Sequence, residues 1–125
     1  MKTHLAATAL ALVSTGAAAM PSTSDDPVLT FAACTGRLSA MMEHQWITDP
    51  PASEHTQAQR LRMIALLDAV LDPDRGREVL AHQIEAKMAQ AQLLTRSRND
   101  AHPREARIAG SLASREVAAC EALLL

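Results

Sequence analysis

Aromatic residues are almost absent from this chain: 125 residues contain one Phe, one Trp and no Tyr. Recognition of nucleic-acid bases by stacking needs several aromatic faces, so that mode is excluded. An excess of positive charge is missing as well. Twelve Lys and Arg stand against 14 Asp and Glu, for a net charge of −2, the wrong sign for attracting a polyanion or an anionic bilayer. The basic residues are nearly all Arg and are scattered through the chain, which reads as pairing along helix surfaces. After the first twenty residues no run approaches the ~18 apolar residues of a membrane helix. Signatures of catalysis are lacking too. There is no Gly-rich phosphate loop, no Gly-x-Ser-x-Gly turn and no His-Glu-x-x-His pair, and Ser39, Ser111 and Ser114 fall inside helical patterns without a positioned base. An enzyme is therefore not expected, and neither is a cofactor.

What is present begins with an export signal. Lys2 precedes an apolar run from Leu5 to Val13, followed by small residues that end in Ala17-Ala18-Ala19. This order predicts a secretory signal peptide over 1–19, cleaved after Ala19. A periplasmic or secreted location follows, with no membrane attachment after cleavage. Cleavage removes only Lys2 from the charge balance, leaving 106 residues, 11 basic against 14 acidic, and a net charge of −3. That length is one domain with a single core. Residues 20–26 are small and polar and are expected to be a disordered leader. Both cysteines, Cys34 and Cys120, lie in the mature part, and an even count in an exported chain predicts a disulfide between them.

Apolar spacing near 3.6 residues divides the remainder into four helices at about 27–46, 53–71, 73–95 and 103–123. Asp26-Pro27 and Asp72-Pro73 each offer a capping carboxylate followed by proline at the first helical position, and Asp49 or Ser53 can cap the second helix. In the first helix, Phe31, Cys34, Leu38, Met41, Met42 and Gln45 fall in one arc, with Glu43 directed to solvent. Gly36 costs about 1 kcal/mol relative to Ala, which implies close approach of another helix beside the disulfide. The second helix shows a broad face from Leu61 to Leu71, and a tight hairpin should join it to the third. Leu80, Ile84, Met88, Ala91 and Leu94 are the expected buried side of the third helix. A small-residue stripe of Ala106, Ala109, Gly110, Ala113, Val117 and Cys120 marks the fourth. The expected fold is all-α, an up-down-up-down four-helix bundle closed by one disulfide. Antiparallel register around Cys34–Cys120 places Met41 opposite Ala113 and Arg37 near Glu116.

Candidate chemistry is sparse. Glu78, His82 and Glu85 recur at i, i+4 and i+7 and could offer a surface zinc site, although their phase points away from the expected core. Met41, Met42 and His44 are soft ligands that could take copper, although both methionines occupy core phases. Trp46 ends the first helix, where it either packs on the Pro50-Pro51 turn or Ile108, or stays exposed and marks a partner site. The expected partner surface comprises Arg37, Glu43, His44 and Trp46.

The segment Cys34-Thr35-Gly36-Arg37-Leu38-Ser39-Ala40-Met41-Met42-Glu43-His44, with Ile84-Glu85-Ala86-Lys87 and the late Cys120, resembles a set of small exported helical proteins of alphaproteobacteria. Their pattern is Cys-x-Gly-Arg-x-Ser-Ala-x-Met-Glu-His followed by a cysteine in the terminal helix. The resemblance implies an export route and a shared fold, and it carries over no active site. The expectation is a non-enzymatic binding or structural module with a protein partner or a self-association face, and the alternative is a copper or zinc binding protein.

Overall fold

The computed structural model describes residues 26–125. The expected signal peptide and residues 20–25 of the expected leader lie outside the described residues. Within them the chain forms α1 (Pro27–Thr48), α2 (Pro50–Val70), a single 3₁₀ turn (Pro73–Arg75), α3 (Gly76–Asn99) and α4 (Pro103–Ala122).

Carboxylate-proline pairs set the helix starts. Asp26 is no part of a leader, since its side chain accepts a hydrogen bond from the Val28 amide at 3.0 Å and caps α1. Asp49 closes one helix and opens the next. Its amide donates to the Gln45 carbonyl, while its side chain accepts from the Ala52 amide at 3.3 Å. One residue therefore turns the chain, and the helices reach two residues further forward and three further back than their apolar periodicity extends. Asp72 accepts from the Asp74 amide at 3.0 Å and starts the 3₁₀ turn that leads into α3.

The four helices alternate in direction and form the expected up-down-up-down bundle. Cys34 and Cys120 are bonded, with Cα atoms 5.4 Å apart, inside the ~7 Å limit for a bridge. The register follows as expected: an Arg37 guanidinium nitrogen lies 2.9 Å from a Glu116 carboxylate oxygen, and Met41 packs on the cluster of Ala40, Leu94 and Ala113.

The packing order is less symmetric than four equivalent neighbours would be. Helix α1 is central and packs mainly on α3 and α2, while α2 and α3 lean on α1 rather than on each other. The tight hairpin expected between α2 and α3 is thus only a short connection. Every residue of α1 from Ala32 to Ala40 except Arg37 is buried, so the single-arc reading is replaced by burial all round. Gly36 accounts for the closeness of α3. A Cβ built there would lie 2.2 Å from the Gln83 carbonyl oxygen and 2.9 Å from the Lys87 amide nitrogen. The close approach inferred from this glycine belongs to the parallel α1–α3 pair, not to the disulfide seam.

Two further faces differ from the periodicity reading. On α3 the buried residues are Val79, Gln90 and Leu94, whereas Leu80, Ile84, Met88 and Ala91 are exposed. Backbone-close packing of α3 on the small residues of α1 needs no large side chains on that side, and it turns the apolar stripe outward. On α2, Met63 and Leu67 are buried but Leu61 and Val70 are exposed. Helix α4 follows its small-residue stripe, with Ala109, Ala113, Val117 and Cys120 buried. Its end docks through Leu124, whose carbonyl accepts a hydrogen bond from Arg62. Leu123 and Leu125 stay exposed.

Candidate functional site: the groove between α2 and α3

Because α2 and α3 splay around α1, a recess of about 300 Å³ opens between them, with Thr35 of α1 among its lining residues. Ile64, Leu67 and Leu71 of α2 and Val79 and Leu80 of α3 form apolar walls, while Asp68 and Gln83 supply polar edges. Thr35, Ser39 and Trp46 recur at i, i+4 and i+11, which places them within about 40° on one face of α1.

Buried hydroxyls on this face are satisfied within the helix. Thr35 Oγ1 donates to the Phe31 carbonyl and Ser39 Oγ donates to the Thr35 carbonyl, both at 2.8 Å. Such back-bonding lets small polar residues sit in a packed interior without an unpaired donor. Arg60 of α2 then donates from Nε to Ser39 Oγ at 2.7 Å. One turn further along α1, Lys87 of α3 donates from Nζ to Glu43 Oε1 at 2.6 Å. Two cationic side chains, one from each wall, therefore bend inward over α1. Glu43 does not point to solvent as its phase implied; the close approach of α3 brings Lys87 to it.

Trp46 lies seven residues beyond Ser39 on this face and is 57% exposed, and the adjoining Ile47 is 75% exposed. The indole is therefore not packed away, and Ile108 is itself half exposed. A large apolar pair held open at the end of a helix is the kind of surface that marks a contact with another molecule.

The other expected site residues are dispersed. Arg37 faces α4 and is engaged by Glu116, so it shares no surface with Glu43. His44 is half-buried; desolvation and the positive Arg98 both lower its pKa. The neighbouring guanidinium also opposes a metal cation at this imidazole. Met42 is buried, and Met41 packs on two core clusters. Glu78 is taken up by Arg75, whose Nε lies 2.9 Å from Glu78 Oε2, and this hydrogen bond is the main cause of its lowered pKa. Among the described residues no three His, Cys, Asp or Glu side chains gather into a set that could hold a metal, so Glu78, His82 and Glu85 do not converge.

Sequence reasoning missed Ile64 and Leu80 as residues that line a recess, and Arg60 and Lys87 as side chains that reach across to α1. Each looks like an ordinary surface or core residue of its own helix, and only the splaying of α2 from α3 relates them. Comparison with protein-family models, curated proteins and solved structures finds no match to this chain.

Proposed function

We propose that this protein is an exported, non-enzymatic binding module that receives a segment of a partner protein along the α2–α3 groove, with Trp46 as its anchor. The observation that carries this reading is the 57% exposure of the only tryptophan, on the face of α1 that continues from the groove floor. Tryptophan is over-represented among residues that dominate binding energy, because it buries a large rigid surface. The groove supports the same reading. Its walls are apolar, with Asp68 and Gln83 at the polar edges, an arrangement suited to the apolar face of an amphipathic helix. The disulfide is at home in an oxidising compartment, which agrees with export.

The test is photo-crosslinking in the intact native compartment, with the reactive group placed at Trp46 or Leu80 and, as a control, at Ala118 on exposed α4. A discrete crosslinked protein obtained from the first two positions and not the third is expected. A Trp46→Ala chain that folds with an unchanged melting temperature should lose that partner by about tenfold or more in affinity, the scale of one anchor residue. Indistinguishable crosslinking from all three positions, or an unaltered affinity in Trp46→Ala, would reject the reading.

A further inference from the structure

We infer that the outward face of α4 is a second, separate surface, one that docks this protein reversibly on an anionic lipid bilayer. Helix α4 leans on α3 and, over a shorter length, on α1, so the side away from both is open. Around that side runs an arc of about 140°, from Arg107 to Leu112, on which every residue is exposed. It holds Arg104, Arg107 and Arg115, with Ile108 50% and Leu112 39% exposed beside them, and otherwise only Ser and Ala. No carboxylate lies on it, because all three glutamates of α4 fall about 90° or more from its centre. Glu116 is in addition occupied by Arg37.

These arginines do nothing for the fold. Arg37, Arg75, Lys87 and Arg96 each meet a carboxylate, and Arg60 and Arg62 donate to Ser39 and to the Leu124 carbonyl. Arg104, Arg107 and Arg115 form no ion pair among the described residues. Their placement is locally unfavourable as well. Arg104 and Arg107 stand in the first turns of α4, which begins at Pro103, where the positive end of the helix dipole disfavours cations. They are also one turn apart, at the spacing where like charges repel. Side chains that break local rules without gain inside the molecule are expected to serve a contact outside it.

Shape selects a bilayer as the partner. The arc is the convex side of a helix, which a protein could receive only in a matching acidic groove, whereas a lipid surface needs none. Headgroup phosphates take the guanidinium groups, and Ile108 and Leu112 reach toward the acyl boundary. The net charge of −2 does not oppose this at contact. Asp68, Asp72, Asp74 and Glu78 gather where α2 ends and α3 begins, at the opposite end of the bundle from Arg104. That is roughly 20 Å or more from the arginines along the bundle axis, beyond the ~8 Å over which charge acts at physiological salt. Asp49 and Glu54 share the end of Arg104 but belong to α2, not to this arc. Each arginine near an anionic surface contributes about fivefold in affinity. Three of them with two partly exposed apolar side chains give a weak hold, half complete at roughly 1 mM lipid.

The experiment is cosedimentation of the purified, oxidised chain from Met20 onward, which retains the whole bundle, with vesicles of phosphatidylcholine alone or mixed two to one with phosphatidylglycerol. Binding to the anionic vesicles should exceed binding to the neutral ones by about tenfold or more, and added salt should weaken it. Arg107→Glu should lose about tenfold or more, since a reversal removes one attraction and adds a repulsion, and Ile108→Asn should bind several-fold more weakly. Arg77→Glu changes the net charge equally on the outer face of α3, and it should bind like the wild type, as should Trp46→Ala. All four side chains are exposed, so folding is retained and melting curves verify it. Equal binding to the two kinds of vesicle would overturn the inference, whether or not an acidic protein binds this face. Equal losses in Arg107→Glu and Arg77→Glu, or full binding by both Arg107→Glu and Ile108→Asn, would overturn it as well. Because the Trp46 reading is probed by a different variant and a different partner, either can fail without the other.

Discussion

Gly36 determines more of this molecule than any other single residue, and it does so by what it lacks. The 2.2 Å and 2.9 Å separations from a built Cβ to the Gln83 carbonyl oxygen and Lys87 amide nitrogen are contacts with α3 backbone, which no rotamer change can relieve. Gly36→Ala is expected to lower stability by about 3 kcal/mol or more, beyond the ordinary range for an added methyl group because two helices must separate. Gly76 provides the opposite case. Its backbone is right-handed helical, at φ −54° and ψ −40°, and a Cβ there meets nothing within 4 Å. Gly76→Ala should raise stability by about 0.4–1 kcal/mol by restricting the unfolded chain. Urea denaturation of the two variants reads both signs, and a loss under about 1 kcal/mol for Gly36→Ala would mean that α3 is not seated against α1 as described. That Gly36 marked a close approach was legible in the sequence, because a mid-helix glycine costs enough to need a reason. Which helix approached was not legible, since the glycine carries no side chain to match with a partner.

At the scale of elements, helix starts were the most legible feature and the face of α3 the least. Asp26-Pro27 and Asp72-Pro73 combine a side-chain acceptor with a preset φ, so purely local chemistry located the start of α1 and of the turn that leads into α3, whereas α2 was expected to start at 53 and starts at Pro50. The buried side of α3 depends on a partner. Leu80, Ile84 and Met88 repeat at helical spacing, yet α3 buries Val79, Gln90 and Leu94 instead: Val79 and Leu94 pack on α1, and the Gln90 side chain donates to the Ala113 carbonyl of α4 at 3.0 Å. The parallel α1–α3 pair is also tied at its start by Arg75, which lies 2.7 Å from Asp26 Oδ2 and 2.9 Å from Glu78 Oε2. The Arg75 hydrogen bond is the largest cause of the lowered pKa at both carboxyl groups. A carboxyl whose pKa is depressed on folding stabilises the native state above its unfolded value and loses that contribution as pH falls through the folded one. The Arg75 fork should therefore act fully near neutrality and fade below about pH 4. Arg75→Gln is expected to melt below the wild type at pH 7, with the gap closing toward pH 2. A gap that stayed constant across that range would show that Arg75 acts through packing alone.

For the whole molecule, the disulfide is the tie that lets an uneven arrangement of helices hold together. Helix α4 rests mainly on α3 and touches α1 over a shorter length, with Val117, Cys120 and Leu124 joining Leu38 and Met63 in one cluster. Its first half is held by α3 through Gln90 and by the fit of Gly110 beside Ser97, and its second half is fastened covalently to α1. The pairing and its position were legible because two cysteines in one chain admit one intramolecular bond, and the up-down-up-down order sets them at the same end. Bonded residues 86 apart enclose a long loop, and the loop-entropy model assigns its closure about 4.5 kcal/mol. Native geometry offsets part of that, so reduction should lower stability by roughly 2–4 kcal/mol, seen as a lower urea midpoint when unfolding is followed by helical circular dichroism. The loss should be uneven in space. Without the bond, the last turns of α4 depend on three apolar side chains, the Arg37–Glu116 ion pair and the Arg62 hydrogen bond to the Leu124 carbonyl, so amide exchange should accelerate most between Val117 and Ala122. Protection around Gly110 and Ala113, where α4 lies on α3, should fall only with global stability. Uniform acceleration along the helix would mean that α4 docks as one rigid unit and that the disulfide acts through the unfolded chain alone.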